Sequence, residues 1–281
     1  MKQLKSLLVT LFYIVLLSCS NVKHNPPKLI SETFTYLTAH VRVEICGLTK
    51  NRKFKCLKLD PLRYRASGSV IKHIKEHSYI LTVAHFCNIN RNQVIEAATD
   101  SVMAESFFKD IKNIKVDILI EILDGKGLTR IGKIISSNDL LDVCVLETDR
   151  IDVKTIKLDT VKPVYGETLW NLSSPLGIVV PNSVPVLKGI FSGDVKLNAG
   201  RYISVITDLP AVSGMSGSPL INRNGKMVGM IYATNQHFKE LSYAVKLKDI
   251  RKFLNDTFPS FYKRPPVTGN TTVEVEIDPI F

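Results

Sequence analysis

The segment Gly214-Met215-Ser216-Gly217-Ser218-Pro219-Leu220 sets a serine in a turn bracketed by glycines. Two upstream segments carry groups that can serve it, Thr82-Val83-Ala84-His85 and Asp142-Val143-Cys144-Val145-Leu146. A serine hydroxyl is a poor nucleophile at neutral pH, so a base must take its proton as it attacks. His85 closes an apolar run, where a chain leaves its core and can present an imidazole to a cleft. Asp142 opens another such run and is placed to fix the imidazole tautomer and to stabilise its cation. Gly214 lets the backbone turn so that the N–H groups of Gly214 and Ser216 converge as an oxyanion hole, worth about 3–4 kcal/mol per donor. Such a set hydrolyses an acyl bond with no metal and no cofactor. Each part alone is weak, because structural histidines and aspartates often flank strands and Gly-x-Ser-Gly recurs by chance. The order His85, Asp142, Ser216 is the specific signal. His24, His40, His73, His77 and His237 lack comparable surroundings and read as surface residues.

The elements that must position these groups are mostly strands. Val41-Arg42-Val43-Glu44-Ile45 alternates with period two, and Val116-Asp117-Ile118-Leu119-Ile120 does so more loosely. Short β-branched or apolar runs between turn residues follow at 67–71, 78–83 and 143–146. The second half repeats the style at 168–172, 184–191, 202–206 and 227–232. Two successive sets of short strands predict an all-β chain of two barrels or sandwiches. The exceptions are a helix around Ile95 to Lys112 and a clearer one over Lys248 to Phe258, with Ile250, Phe253 and Leu254 on one face. Residues 263–270 then read as a linker, and 272–277 as one more alternating segment.

Residues 1–19 read as a targeting segment. A basic start with Lys2 and Lys5 precedes an apolar run over 6–17, too short for a comfortable membrane span and suited to a secretory signal. It ends in Leu16-Leu17-Ser18-Cys19, which resembles a bacterial lipobox, whose cysteine is lipidated and becomes the first mature residue. The other reading is a plain signal peptide with an incidental cysteine. Both export the chain, so disulfides become available to Cys46, Cys56, Cys87 and Cys144. Cys46 and Cys56 flank a hairpin loop and suit a local bridge. Cys87 and Cys144 follow His85 and Asp142 closely; they either pair or stay as two buried thiols. None has the paired spacing of a zinc site. The formal net charge is +11 over 281 residues, but the lysines are scattered, with no basic helix or aromatic–basic stripe. This reads as a Lys-rich surface and predicts no specific nucleic-acid partner.

From about Ser67 to Leu254 the chain resembles trypsin-like serine proteases of the HtrA/Deg branch. Ser67-Gly68-Ser69-Val70-Ile71 and Tyr79 to His85 are similar to that family's glycine and histidine strands. Asp142 to Leu146 resembles its Asp-hydrophobic-Ala-Val segment. Asn171-Leu172-Ser173-Ser174-Pro175-Leu176-Gly177, Lys188 to Ser192, Thr207-Asp208, Leu220 to Gly229 and Ser242 to Val245 match further family segments. The resemblance implies two six-stranded antiparallel β-barrels with a C-terminal helix and the site between them. It sets a protease domain over 31–262, after a linker at 20–30, with barrel one at about 31–150, barrel two at about 160–247, the helix at 248–258 and a tail at 263–281. Met215 stands where the family has Asp or Asn, and Ser218 where it has a second glycine. The roughly twenty residues after Lys263 are too few for a PDZ-type domain.

Aligned to that family, Pro210 lies at the base of the primary pocket, with Tyr232 and Leu241 near its walls. No carboxylate is placed there to bind Lys or Arg, so a small or medium apolar side chain is expected before the cleaved bond. The expectation is a serine endopeptidase of the bacterial envelope, in the periplasm or at the cell surface. It would act on proteins or peptides and be held at the membrane through a lipid on Cys19. The rivals are a catalytically silent trypsin-fold binding module, and a basic envelope-binding lipoprotein whose triad is incidental.

Overall fold

The computed structural model describes residues 33–100, 106–178, 183–196, 202–235, 237–238 and 240–258. The signal segment 1–19 with Cys19, the linker 20–30, the tail 263–281 and the alternating run 272–277 lie outside the described residues.

The first half of the chain forms β1 (Phe34–Thr49), β2 (Phe54–Lys58), β3 (Leu62–Ile74), β4 (His77–Thr82), β5 (Phe108–Asp124), β6 (Thr129–Asn138) and β7 (Val143–Asp149). Strands β1, β3, β4, β7, β6 and β5 neighbour one another in that order, and β1 pairs back onto β5, so six strands close into a ring. Strand β2 is a seventh, paired among the described residues with the outer half of β1, where Cys46 and Cys56 face each other in register and are bonded. The alternation read at Val41, Val43 and Ile45 is the burial pattern: these three are inside, and Arg42 is exposed. The second half forms β8 (Thr168–Leu172), β9 (Val186–Lys196), β10 (Tyr202–Thr207), β11 (Pro219–Ile221), β12 (Met227–Thr234) and β13 (Ser242–Lys246). These six close into a barrel in the order β10-β13-β12-β11-β8-β9. The two-barrel, all-β expectation therefore holds.

The helices that accompany the strands among the described residues include α1 (Ala84–Cys87), α2 (Arg91–Thr99) and α3 (Leu247–Thr257). Helix α2 starts at an Asn90 cap whose side chain accepts the N–H groups of Asn92 and Gln93. The helix expected over Ile95 to Lys112 is a correction. Helix α2 covers its start and ends at Thr99, and Ser106 and Phe107 are again helical, but Phe108 to Lys112 belong to β5, where Phe108, Asp110 and Ile111 pair with Thr49, Leu48 and Gly47 of β1. Strand pairing to a distant partner overrides the local helical pattern there. Helix α3 falls one residue from expectation and buries Ile250, Phe253 and Leu254. Those side chains join one apolar cluster with Ile80 and Leu146 of the first barrel and Trp170 and Met230 of the second. The helix thus reaches back across the molecule, and Phe258 beyond it packs edge-on against Tyr79. Among the described residues no helix is long and apolar enough to cross a membrane.

The segment joining the barrels is docked. Asp159 N–H donates to Met227 O at 2.9 Å and Met227 N–H to Lys157 O at 2.8 Å. The Asp159 carboxylate is buried and accepts Asn222 Nδ2 at 2.5 Å and Thr160 N–H at 2.6 Å, with Lys226 Nζ at 3.8 Å. Burial opposes its charge, yet the Thr160 N–H, the Asn222 amide, the Val161 N–H and the Lys226 ammonium outweigh that and hold its pKa below the ordinary value. A lowered folded pKa stabilises the fold above the unfolded carboxylate value, and this is lost as pH falls through the folded one. Asp159→Asn should therefore be less stable than wild type at pH 7, with the gap closing below about pH 4. Urea midpoints measured from pH 7 to pH 2 check this; a gap independent of pH would deny the carboxylate that role.

Candidate functional site

His85 is delivered by β4, all buried from Ser78 to Thr82, which ends at Val83 and turns directly into α1. Ala84, Phe86 and Cys87 are buried, and the His85 side chain, 53% exposed, is turned out of that packing. Asp142 immediately precedes β7. The register of β4 with β7 sets Thr82 opposite Cys144, so the end of one strand lies beside the start of the other. That pairing is why two residues 57 positions apart in the chain meet. The Cys87–Cys144 disulfide then ties α1 to β7, which settles the choice the sequence left open.

The Asp142 carboxylate accepts from His85 twice over. Oδ2 and Oδ1 lie 2.9 and 3.1 Å from Nδ1, and Oδ1 also takes the His85 backbone N–H at 3.0 Å. The backbone bond satisfies a donor left free at the start of α1 and fixes the carboxylate relative to the ring. With Nδ1 facing a carboxylate, the neutral ring carries its proton there, and Nε2 is the free acceptor. Asp142 itself has φ of +54°, a region that aspartate tolerates better than most residues. The turn that imposes it is held by Leu141 N–H to Asn138 Oδ1 at 2.9 Å.

Ser216 lies in the loop between β10 and β11. Gly214 has φ of +91° and Gly217 of +87°. A Cβ on Gly214 would strike the Ser174 carbonyl oxygen, and one on Gly217 would strike the Ser67 carbonyl oxygen and Thr82 Oγ1. Both glycines are thus demanded by backbone angle and by close approach. The N–H groups of Met215, Gly217 and Ser218 donate to Val212, Ile231 and Met215 carbonyls. Among the described residues, those of Gly214 and Ser216 donate to nothing. Two free amides alternate with bonded ones, the arrangement an oxyanion needs. Ser216 Oγ donates to Tyr232 O at 3.3 Å, and no hydrogen bond joins it to His85. Both residues line one cleft of about 250 Å³, whose wall also includes Arg63, Tyr64, Arg65 and Gly214.

Pro210 is exposed, while Tyr232 and Leu241 are half-buried. Leu209 N–H donates to Glu240 O, and Ser242 Oγ to Leu209 O, which brings the corner before Pro210 beside the segment around Leu241. Tyr232 touches the site through its carbonyl. None of the three lines the cleft shared by Ser216 and His85.

Sequence reasoning missed Ser67 as a positioning residue. It is buried in β3 of the first barrel and grips the second: its Oγ donates to Gly214 O at 2.8 Å and accepts Ser174 N–H at 3.0 Å. Its own N–H donates to Ser216 O at 2.8 Å. A serine within a strand carries no local sign of such reach. The two departures at the serine loop are both accommodated. Met215 is fully buried among Leu169, Ile206, Leu209 and Ile231. The Ser218 hydroxyl, also fully buried, accepts Asn171 Nδ2 at 2.7 Å. Among the described residues no group of three His, Cys, Asp or Glu side chains is placed to hold a metal ion.

Residues 66–230, more than half of the chain, match the model of the trypsin-like peptidase domain. The chain belongs to that family. It is similar to a periplasmic serine endoprotease of DegP-like type from Pseudomonas putida (strain W619), 31% identical over 137 residues, 47% of this chain and 27% of that one. It is also similar to the serine protease Do-like HtrA of Bacillus subtilis (strain 168), 25% identical over 221 residues, 75% of this chain and 43% of the other. The chain therefore spans less than half the length of these curated relatives. The crystal structure of the serine endoprotease from Yersinia pestis superposes with a TM-score of 0.53 at 16% identity, over 83% of this chain and 65% of that one, and shares the fold.

Replacing Ser67 by Ala strips a buried carbonyl and a buried N–H of their partner at once. The fold should lose about 2–5 kcal/mol in chemical denaturation; an unshifted midpoint would show that the seam does not depend on this hydroxyl.

Proposed function

We propose that this chain is a serine endopeptidase in which Ser216 is the nucleophile, His85 the base and Asp142 the group that orients and stabilises the imidazole. Ser216 Oγ attacks the scissile carbonyl while its proton passes to His85 Nε2. The N–H groups of Gly214 and Ser216 hold the resulting oxyanion, and His85 returns the proton to the leaving amine. Water then hydrolyses the acyl-enzyme with His85 again as base. The observation that carries this reading is the pair of free amides at Gly214 and Ser216, in the cleft where the Asp142-held imidazole also stands. The hydroxyl lies on Tyr232 O, and the bond between a nucleophile and its base commonly tightens only with substrate bound.

Pro210, Tyr232 and Leu241 are assigned to the pocket for a small or medium apolar side chain before the cleaved bond. The protease domain is taken as 31–262. The names of relatives such as the periplasmic DegP-like protease, together with the signal-like residues 1–19, support export to a bacterial envelope, and the lipobox-like end at Ser18-Cys19 supports a lipid anchor at Cys19. Protein or peptide substrates follow from the same likeness.

The resting bond from Ser216 to Tyr232 favours a second reading, a catalytically silent binding module. A serine-directed fluorophosphonate separates the two. It should label Ser216 in the wild type and fail to label His85→Ala. Ser216→Ala should lose about 10⁶-fold in turnover of an unfolded protein while keeping its circular dichroism. Absence of labelling would leave the silent module, and unchanged turnover in Ser216→Ala would remove Ser216 as nucleophile.

A further inference from the structure

We infer that Arg63 and Arg65 select substrates carrying acidic residues just after the cleaved bond; the inference rests on the endopeptidase reading above. The two arginines and Tyr64 are consecutive in β3 and line the same cleft as Ser216, His85 and Gly214. No carboxylate lines that cleft. Neither arginine has an ion pair among the described residues. Thr38 of β1 faces Arg65 on one side and Glu121 of β5 on the other, but the Glu121 carboxylate is held by His40 Nε2 at 2.7 Å. The cleft therefore presents two uncompensated cations beside the reacting groups.

Arg65 is also positioned. One Nη1 donates to Leu176 O at 3.4 Å, and its Cδ and Nε fill the space beside Gly177, where a Cβ would stand. Its other guanidinium donors remain for a ligand, and a guanidinium suits a carboxylate in a bidentate arrangement. The direction follows from how Ser216 is held. Its hydroxyl faces Tyr232 and its carbonyl is taken by Ser67 N–H, so β3 and Tyr232 flank it on different sides. On the pocket assignment proposed above, the residue before the cleaved bond lies with Tyr232. The polypeptide continuing past Ser216 then runs along β3, and its first two side chains on the leaving side meet Arg63, Tyr64 and Arg65.

Exposed ion pairs are weak and screened by salt, so the preference should be moderate and dependent on ionic strength. Two peptides identical except for Asp-Asp or Asn-Asn after the cleaved bond supply the test. Wild-type protein should favour the acidic peptide about 3–10-fold in kcat/KM at low salt, with the ratio shrinking as salt is added. Arg63→Gln with Arg65→Gln should bring the ratio to about one, and Arg63→Glu with Arg65→Glu should transfer the preference to a Lys-Lys peptide. Circular dichroism verifies the fold of each variant. Equal cleavage of both peptides by wild-type protein overturns the inference and leaves the protease standing. The same peptides are also titrated against Ser216→Ala by fluorescence anisotropy. Tighter binding of the acidic peptide there, in a chain whose wild type neither hydrolyses nor labels, keeps Arg63 and Arg65 as an acidic-peptide site but overturns the protease reading and the selection at a cleaved bond that rests on it. Equal binding in a chain that does not hydrolyse overturns the inference as well.

Discussion

A serine loop in one barrel and an imidazole in the other can act on the same atom only if the seam between them is rigid, and Ser67 is where that rigidity is made. Its hydroxyl donates to Gly214 O and accepts Ser174 N–H, while its backbone donates to Ser216 O. All three bonds cross from β3 to the second barrel. They are buried, so loosening the seam leaves polar groups unpaired in a low-dielectric interior. The same approach explains the glycines. Gly217 lies so close to the Ser67 carbonyl and Thr82 Oγ1 that a side chain has no room, and Gly214 is equally close to the Ser174 carbonyl. Removing a Cβ from each costs chain entropy in folding, but it lets the backbone come near enough for the Ser67 bonds to form.

The imidazole side is fixed by different means. There the register of β4 with β7 brings strand end to strand start, and the Cys87–Cys144 bond ties helix to strand. The Asp142 carboxylate then spans ring and backbone of one residue, and the bond from the His85 N–H keeps the carboxylate in place to receive the ring. Orientation therefore comes from strands and a covalent link on one side, and from buried hydrogen bonds on the other. Helix α3 joins the two through the apolar cluster it shares with both barrels.

How far the sequence disclosed this depends on the range of the interaction. The alternation of β1, the apolar face of α3 and the order of His85, Asp142 and Ser216 are local patterns or lie in short segments, and they could be read. The stretch 108–112 could not, because its strand state depends on pairing with residues 47–49, far back in the chain. Ser67 was visible only as part of a glycine strand; nothing near it says that its hydroxyl reaches residues 174 and 214. Likewise Arg63 and Arg65 read as two of many scattered cations until β3 sets them in the wall of the cleft. Local chemistry was legible, and long-range placement was not.

The two departures from the family pattern bear on how the serine loop keeps its shape. An aspartate before the serine would need a cation to remain charged in that interior. Met215 asks for none: it is fully buried in the second barrel's apolar cluster, and Val212 N–H approaches its sulfur at 3.3 Å. At the next site but two, a serine in place of glycine supplies a hydroxyl that holds Asn171, whose amide also donates to Pro219 O at 3.0 Å. Apolar burial on one side of Ser216 and a neutral hydrogen-bond pair on the other thus fix the loop with no ion pair. A loop held in this way needs no charged partner from elsewhere in the chain to keep its shape. The substitutions that look like erosion in a sequence comparison are, in the fold, parts of one neutral scaffold for the two free amides.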